Sequence, residues 1–197
     1  MKNLLLLSFL IFSGCSVTHA PIAEYRITPK LDKSTLNAKM CRDKSLKVAQ
    51  VFSSSSLMSK KMKYAQDDYK EFSFSESEWA VSPNKVITKE LVKSLRDTQL
   101  FSNVTSFKSR SRSDLILETS VEDFMQYFST NNEKSYVNVV MSMTLIDAKS
   151  SKSIKTKTFI KRIDAKSINA YGGVTALNNA FEIVLTENRE WLESVCK

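Results

Sequence analysis

Few side chains in this sequence could carry covalent or acid–base chemistry, and their spacing tests each one. His19 is the only histidine. It lies in the proline-bearing stretch read below as a tether, so nucleophile–histidine pairs and histidine-bound metals have nothing to build on. The cysteines, Cys15, Cys41 and Cys196, are too few and too dispersed for a zinc site. Glu118 and Glu122 would share one face of a strand, but four residues at about 3.3 Å each hold them roughly 13 Å apart. Retaining glycosidases need about 5–5.5 Å between carboxyls and inverting ones about 6.5–9.5 Å. Ser59 and Lys60 are neighbours, yet nothing around them supports a Ser-Lys dyad; a loop serine beside a surface lysine is the simpler reading. Three glycines in the whole chain leave no glycine-rich phosphate loop. The sequence therefore predicts no enzyme, no cofactor and no metal.

Cys15 needs another explanation. Lys2 supplies a positive start, and Leu4 to Phe12 is an apolar run within the roughly 7–15 residues of an export signal. That run is well short of the roughly 20 residues that span a bilayer. Ser13 and Gly14 then precede the cysteine. The pattern resembles the lipobox of bacterial lipoproteins, with Phe12 where leucine is usual. The resemblance implies that Cys15 is acylated and becomes the first mature residue, and that Ser16 sorts the chain to the outer membrane. Each buried CH₂ of an acyl chain contributes about 0.8 kcal/mol, so several chains make a stable anchor. A secreted protein with a chance cysteine is the alternative. Residues 1–14 are thus read as a signal peptide, 15–44 as the acylated N-terminus and a tether, and 45–197 as one periplasmic domain. The tether carries Pro21, Pro29 and one short extended segment, EYRIT. Cys41 and Cys196 form an even pair that permits a disulfide in an oxidising compartment; two separate buried thiols would satisfy the sequence equally.

The elements that position these residues follow from periodicity. Compact or alternating apolar runs predict strands at 46–52, 61–66, 68–74, 103–107, 115–128, 136–147 and 153–163. The last three, joined by STNNEKS and DAKSSKS turns, predict an antiparallel meander. Ser82 and Pro83 begin a helix whose Ile87, Leu91 and Leu95 make one apolar stripe. Val174, Leu177, Phe181, Val184, Asn188, Trp191 and Val195 recur at steps of three and four, predicting a helix over 174–195, with Gly172 and Gly173 just before it. The expected architecture is α/β (α+β): a single domain with a mixed sheet and two main helices packed on it.

Charge limits the partners. Lys and Arg total 29 against 21 Asp and Glu, a net charge of +8. The basic stretches are KSRSR at 108–112 and a run over 149–162, in which Lys155, Lys157 and Lys161 share a strand face opposite Ile154, Thr156 and Ile160. Export removes nucleic acid as a partner; anionic lipid head groups, lipopolysaccharide or an acidic protein fit better. A lysine-rich solvated edge that discourages strand pairing is the plainer alternative.

The ordered set of segments resembles a known family. The lipobox, EYRIT, LKVAQVF, the strands around Tyr64 and Tyr69, SEWAVSPNKVITKELVKSLRDTQLFSNV, SDLILETSVEDFMQYF and ALNNAFEIVLTENREWL follow one another along nearly all of the mature chain. The order is similar to that of the ABC-type transport auxiliary lipoprotein family, which includes paraquat-inducible protein C. The resemblance implies an α/β domain like the N-terminal domain of TolB. It also implies a partner with mammalian-cell-entry (MCE) domains, an inner-membrane permease and ATPase, lipid cargo, and in some members a homo-oligomeric ring. Catalysis is not expected of such a docking module. Tyr64 and Tyr69, with Trp79, are candidate aromatic contacts, although Trp79 suits core packing against the helix at 83–97 better. Arg110 and Arg112 are candidate basic contacts. The second functional reading is a structural or assembly lipoprotein that binds lipopolysaccharide or peptidoglycan through its basic face.

Overall fold

A computed structural model describes residues 21–31, 36, 40–67 and 69–197. Cys15 and the signal peptide lie outside the described residues. One long strand organises the sheet. It is β7 (Leu115–Phe128), preceded by β1 (Ala23–Tyr25), β2 (Ser45–Val48), β3 (Phe52–Ser53), β4 (Lys61–Gln66), β5 (Lys70–Trp79) and β6 (Asn103–Ser106), and followed by β8 (Ser135–Asp147) and β9 (Lys152–Asp164). Leu115, Leu117, Thr119 and Val121 point inward; a bulge between Val121 and Asp123 then shifts the parity, so Phe124 and Gln126 continue the buried row. β7, β8 and β9 form the antiparallel meander that their alternation predicts.

On its other edge β7 is met by three strands laid end to end, all parallel to it. β2 pairs Leu46 with Leu115, β3 pairs Phe52 with Ser120, and β4 pairs Tyr64 with Gln126. The continuous strand expected over 46–52 is therefore broken. Val51 turns inward, and its amide donates to Thr88 Oγ1 instead of to a ladder partner (3.2 Å). The rest of the mixed sheet is β6 beside β2, and β5 and β1 beyond β4, with β1 parallel to β5.

Both helices, α1 (Pro83–Arg96) and α2 (Ala170–Val195), cover one face. Ile87, Leu91 and Leu95 of α1 and Leu177, Phe181, Val184, Leu185 and Leu192 of α2 are buried against Leu46, Val48, Leu117 and the odd-numbered apolar residues of β8. Ser82 takes the N-cap position as expected, but it caps through its carbonyl, which accepts from Lys85 N (3.1 Å), and not through its hydroxyl. α2 starts four residues earlier than its apolar stripe. Asn169 Oδ1 accepts from Gly172 N (2.9 Å), and the two glycines form the first turn. A Cβ on Gly173 would overlap Gln126 Oε1, so glycine lets this turn sit against the sheet.

The tether expected over 15–44 is corrected by the packing of its described part. β1 joins the sheet, with Tyr25 opposite Trp79 and Ala80 N donating to Tyr25 O (2.8 Å). Ile27 and Pro29 are buried. Thr28 N donates to Asn178 Oδ1 (2.5 Å) and Lys30 N to Glu182 Oε2 (3.0 Å), so the segment is strapped along α2. Leu36 N donates to Thr98 O, Met40 N donates to Cys196 O, and Cys41 is joined to Cys196 by a disulfide with Cα atoms 5.3 Å apart. The folded domain thus starts by Ala23. A three-residue strand flanked by prolines is too short to show a period, and the α2 groups that hold the segment lie some 150 residues away.

Candidate functional site

The β4–β5 hairpin makes one end of the domain aromatic. Tyr64 packs against Phe72, Phe74 and Phe128, at ring-centroid distances of 5.5, 4.6 and 5.1 Å. Tyr69 stands at the hairpin tip, 96% exposed. The tip is tied to the β7–β8 turn, where Thr130 Oγ1 donates to Asp67 Oδ1 (2.7 Å) and Gln66 Nε2 to Asn132 Oδ1 (3.0 Å). Across an open cleft of about 550 Å³ stand Ile168 and Tyr171, at the start of α2. Phe72, Ile168 and Tyr171 are all substantially exposed.

The opposite face of the same end carries a cluster that the sequence did not reveal. Tyr127 and Tyr136 stack at 5.2 Å with an interplanar angle of 7°, and the Arg162 guanidinium lies 3.4 Å above Tyr136. Tyr127 Oη donates to Asp123 Oδ2 (2.7 Å), and Asn138 Nδ2 donates to the same oxygen (2.8 Å). Burial pushes the Asp123 carboxyl above its ordinary range, against the pull of these two hydrogen bonds. Burial first, and then the hydrogen bond to Asp123, pushes Tyr127 up as well. The signal lies in the β7–β8 register, which only the bulge at Val121/Asp123 sets.

The far end of β7 is basic. Arg110 and Arg112 are exposed in the β6–β7 loop, which Lys47 Nζ holds by donating to Ser111 O (2.6 Å) and Ser109 O (3.3 Å). Asp114 closes the loop by accepting from Ser45 N and Ser45 Oγ, both at 2.7 Å, which hold its carboxyl below the ordinary range. Alongside, a groove of about 740 Å³ has Val92 and Phe107 as its apolar lining and Lys85, Lys89, Lys93, Arg96 and Lys108 around it. The four helical cations form a second stripe of α1, at steps of three and four, beside the apolar one.

The residues predicted as contacts do not come together. Tyr64 and Tyr69 sit at the Phe128 end of β7 and Arg110 and Arg112 at the Leu115 end. Thirteen steps of about 3.3 Å place these ends roughly 43 Å apart. Trp79 is buried, with its ring 6.3 Å from Phe124, and it shares a small cavity with Met62 and Leu177. It is a core residue, with Leu177 of α2 as a neighbour.

The sequence matches the family model of the ABC-type transport auxiliary lipoprotein component over residues 25–187. The chain belongs to this family. The matched span opens at Tyr25, inside β1, in agreement with a domain that includes the strapped segment. Among solved structures, this auxiliary lipoprotein is similar to protein XCC0632 from Xanthomonas campestris, with a TM-score of 0.76 and 16% identity over 88% of this chain and 96% of that one. An uncharacterised protein gives a TM-score of 0.62 at 16% identity, over 81% and 98% of the two chains. The hypothetical protein CT253 from Chlamydia trachomatis gives 0.51 at 10% identity, over 78% and 98%. Identities this low establish the shared fold alone. No curated protein matches the sequence.

The basic face expected on β9 needs correction for this auxiliary lipoprotein. Lys155, Lys157 and Lys161 share a face with buried Phe159, so they lie on the side that α2 packs against. Lys157 Nζ lies 5.0 Å from the Phe159 ring centroid, and Lys161 Nζ pairs with Glu187 Oε1 (2.5 Å). The outward row is Ile154, Thr156, Thr158 and Ile160, with Thr156 and Thr158 bonded to Thr144 and Ser142. Among the described residues no helix is long and apolar enough to cross a membrane, and no His, Cys, Asp and Glu group has metal-site geometry.

Proposed function

We propose that this chain is an outer-membrane-anchored, non-catalytic docking component of an ABC-type system. In this reading its periplasmic partner carries MCE domains and its cargo is lipid. Cys15 supplies the anchor, and the basic end of the domain supplies the contact. The observation that carries this reading is the polarity of β1. Because β1 runs parallel to β5, the chain enters β1 from the side of the hairpin tip, which supports an anchor on that side and the Arg110–Arg112 end on the other. An exposed cationic end, aimed across the periplasm, suits an acidic surface on a partner held in the opposite membrane.

The reading in which the chain binds lipopolysaccharide or peptidoglycan through β9 loses support, since Lys161 is already paired and Lys157 lies over a ring. The test is affinity purification of the acylated full-length chain from its envelope in mild detergent, with mass spectrometry of the co-purifying proteins. MCE and permease–ATPase subunits should be recovered with the parent chain and lost from an Arg110→Glu/Arg112→Glu variant that is still anchored. Recovery of envelope polymer without transporter subunits would overturn the assignment.

A further inference from the structure

The aromatic end of the domain has a feature that a partner-docking role does not use: its position relative to the anchor. Ala23 pairs with Ser77, and β5 runs back from Ser77 to Lys70 at the hairpin tip. Seven strand steps of about 3.3 Å place the tip roughly 23 Å beyond Ala23, in the direction from which the chain arrives. Cys15 precedes Ala23 by eight residues, which span at most about 26–29 Å when fully extended. A lead of that length from an acylated Cys15 can therefore reach at most a few ångströms past the tip, which keeps the surface that receives the acyl chains close to the hairpin end.

We infer that the hairpin end is a membrane-contact surface, with Tyr69, Phe72 and Tyr171 seated in the head-group region of the bilayer that holds Cys15. This placement rests on the reading of Cys15 as the lipid-bearing residue. Tyrosine suits that depth because its ring is apolar and its hydroxyl stays hydrated. The exposure of these rings is otherwise costly: Tyr69 is 96%, Tyr171 65% and Phe72 40% exposed. A second weak contact beside a lipid anchor also fixes the orientation of the domain, which acyl chains alone leave free. The basic end is thereby turned outward from the membrane.

The experiment uses the full-length acylated protein in vesicles of phosphatidylethanolamine and phosphatidylglycerol with brominated acyl chains, which quench nearby indoles. Both native tryptophans, Trp79 and Trp191, are buried and provide the background. A Tyr69→Trp chain should gain emission that shifts to the blue on reconstitution and is lost to brominated lipid. An Arg110→Trp chain, at the far end, should show neither change. Co-flotation with the vesicles and the mass of the acylated N-terminus report on the anchor separately. A Tyr69→Trp chain that floats while the emission of its added indole is unshifted and unquenched overturns the membrane contact and frees this end for a protein partner. Equal quenching at positions 69 and 110 also overturns it, because the domain would then lie flat. A chain that does not float removes the anchor, and the inferred contact falls with it.

Discussion

Loss of the Cys41–Cys196 bond is the sharpest test of how the N-terminal strap is held. The two cysteines are 155 residues apart in sequence, and both are buried. In the chain-entropy account, closing a loop of that length lowers the entropy of the unfolded ensemble by about 17 cal/mol/K, which is about 5 kcal/mol at 25 °C. Domains of this size are stable by only about 5–15 kcal/mol, so the bond is a large share of the margin. The Met40 N–H bond to Cys196 O, and the packing of Cys41 against the end of α2, depend on the same junction. The assay is urea unfolding followed by the fluorescence of Trp79 and Trp191, on the oxidised chain and on Cys41→Ser/Cys196→Ser. With a urea slope of about 2–3 kcal/mol/M, the midpoint should fall by about 2 M. Coincident curves would refute the reasoning, provided thiol titration of the unfolded oxidised parent shows Cys41 and Cys196 blocked. Two free thiols in that titration would refute the bond itself.

Further outcomes follow from the same contacts. Gly173→Ala drives a methyl into Gln126, whose Nε2 donates to Ser135 Oγ and Asn169 O; it should cost about 2–4 kcal/mol in thermal or urea unfolding, and a second change, Gln126→Ala, should recover part of it. Asn178→Ala removes the bonds to Thr28 N and Arg26 O; it should cost about 1–2 kcal/mol and raise amide exchange over Arg26 to Lys30 while the core of β8 stays protected. Asp123 has a folded-state pKa raised by burial, so between the ordinary carboxylate range and that raised value the native chain binds more protons than the unfolded one, and stability falls as pH rises through the window. Asp123→Asn, which keeps an acceptor for Tyr127, should therefore raise the melting temperature more at neutral pH than at acid pH. Phe181→Ala empties a fully buried site beside Phe124 and should cost about 3–5 kcal/mol by the same unfolding assays.

The parts of the fold that the sequence discloses are those with a long, unbroken period. The stripe from Val174 to Val195 and the alternation along β8 each repeat often enough to exclude the other period, and both elements are found where they were expected, α2 with one further turn at its start. β9 shows where periodicity stops informing. Its alternation places Lys155, Lys157 and Lys161 on one face correctly, but nothing local says which face a helix covers, and the single clue was Phe159 among the lysines. Ile154 and Ile160, opposite the lysines, are exposed. The in-line arrangement of β2, β3 and β4 was not legible, because a compact apolar run such as LKVAQVF has no internal mark where Val51 leaves the ladder for Thr88. The candidate contacts were individually exposed or aromatic as their types suggest. Their separation along β7 is a tertiary fact. The Tyr127–Tyr136–Arg162 stack depends on three separate strands and has no local mark, whereas the α1 cations form a local stripe.

The strap along α2 also determines how the domain responds to force. A pull on the N-terminus first loads the three β1 residues and then the bonds to Asn178 and Glu182, one after another. The disulfide lies beyond them, so peeling stops at Cys41 with β2 to β9 and both helices intact. The 18 residues from Ala23 to Cys41 would lengthen the lead to roughly 60 Å beyond Cys41 before any tension reached the core. The chain thus contains a segment that can lengthen under load as far as a covalent stop at Cys41.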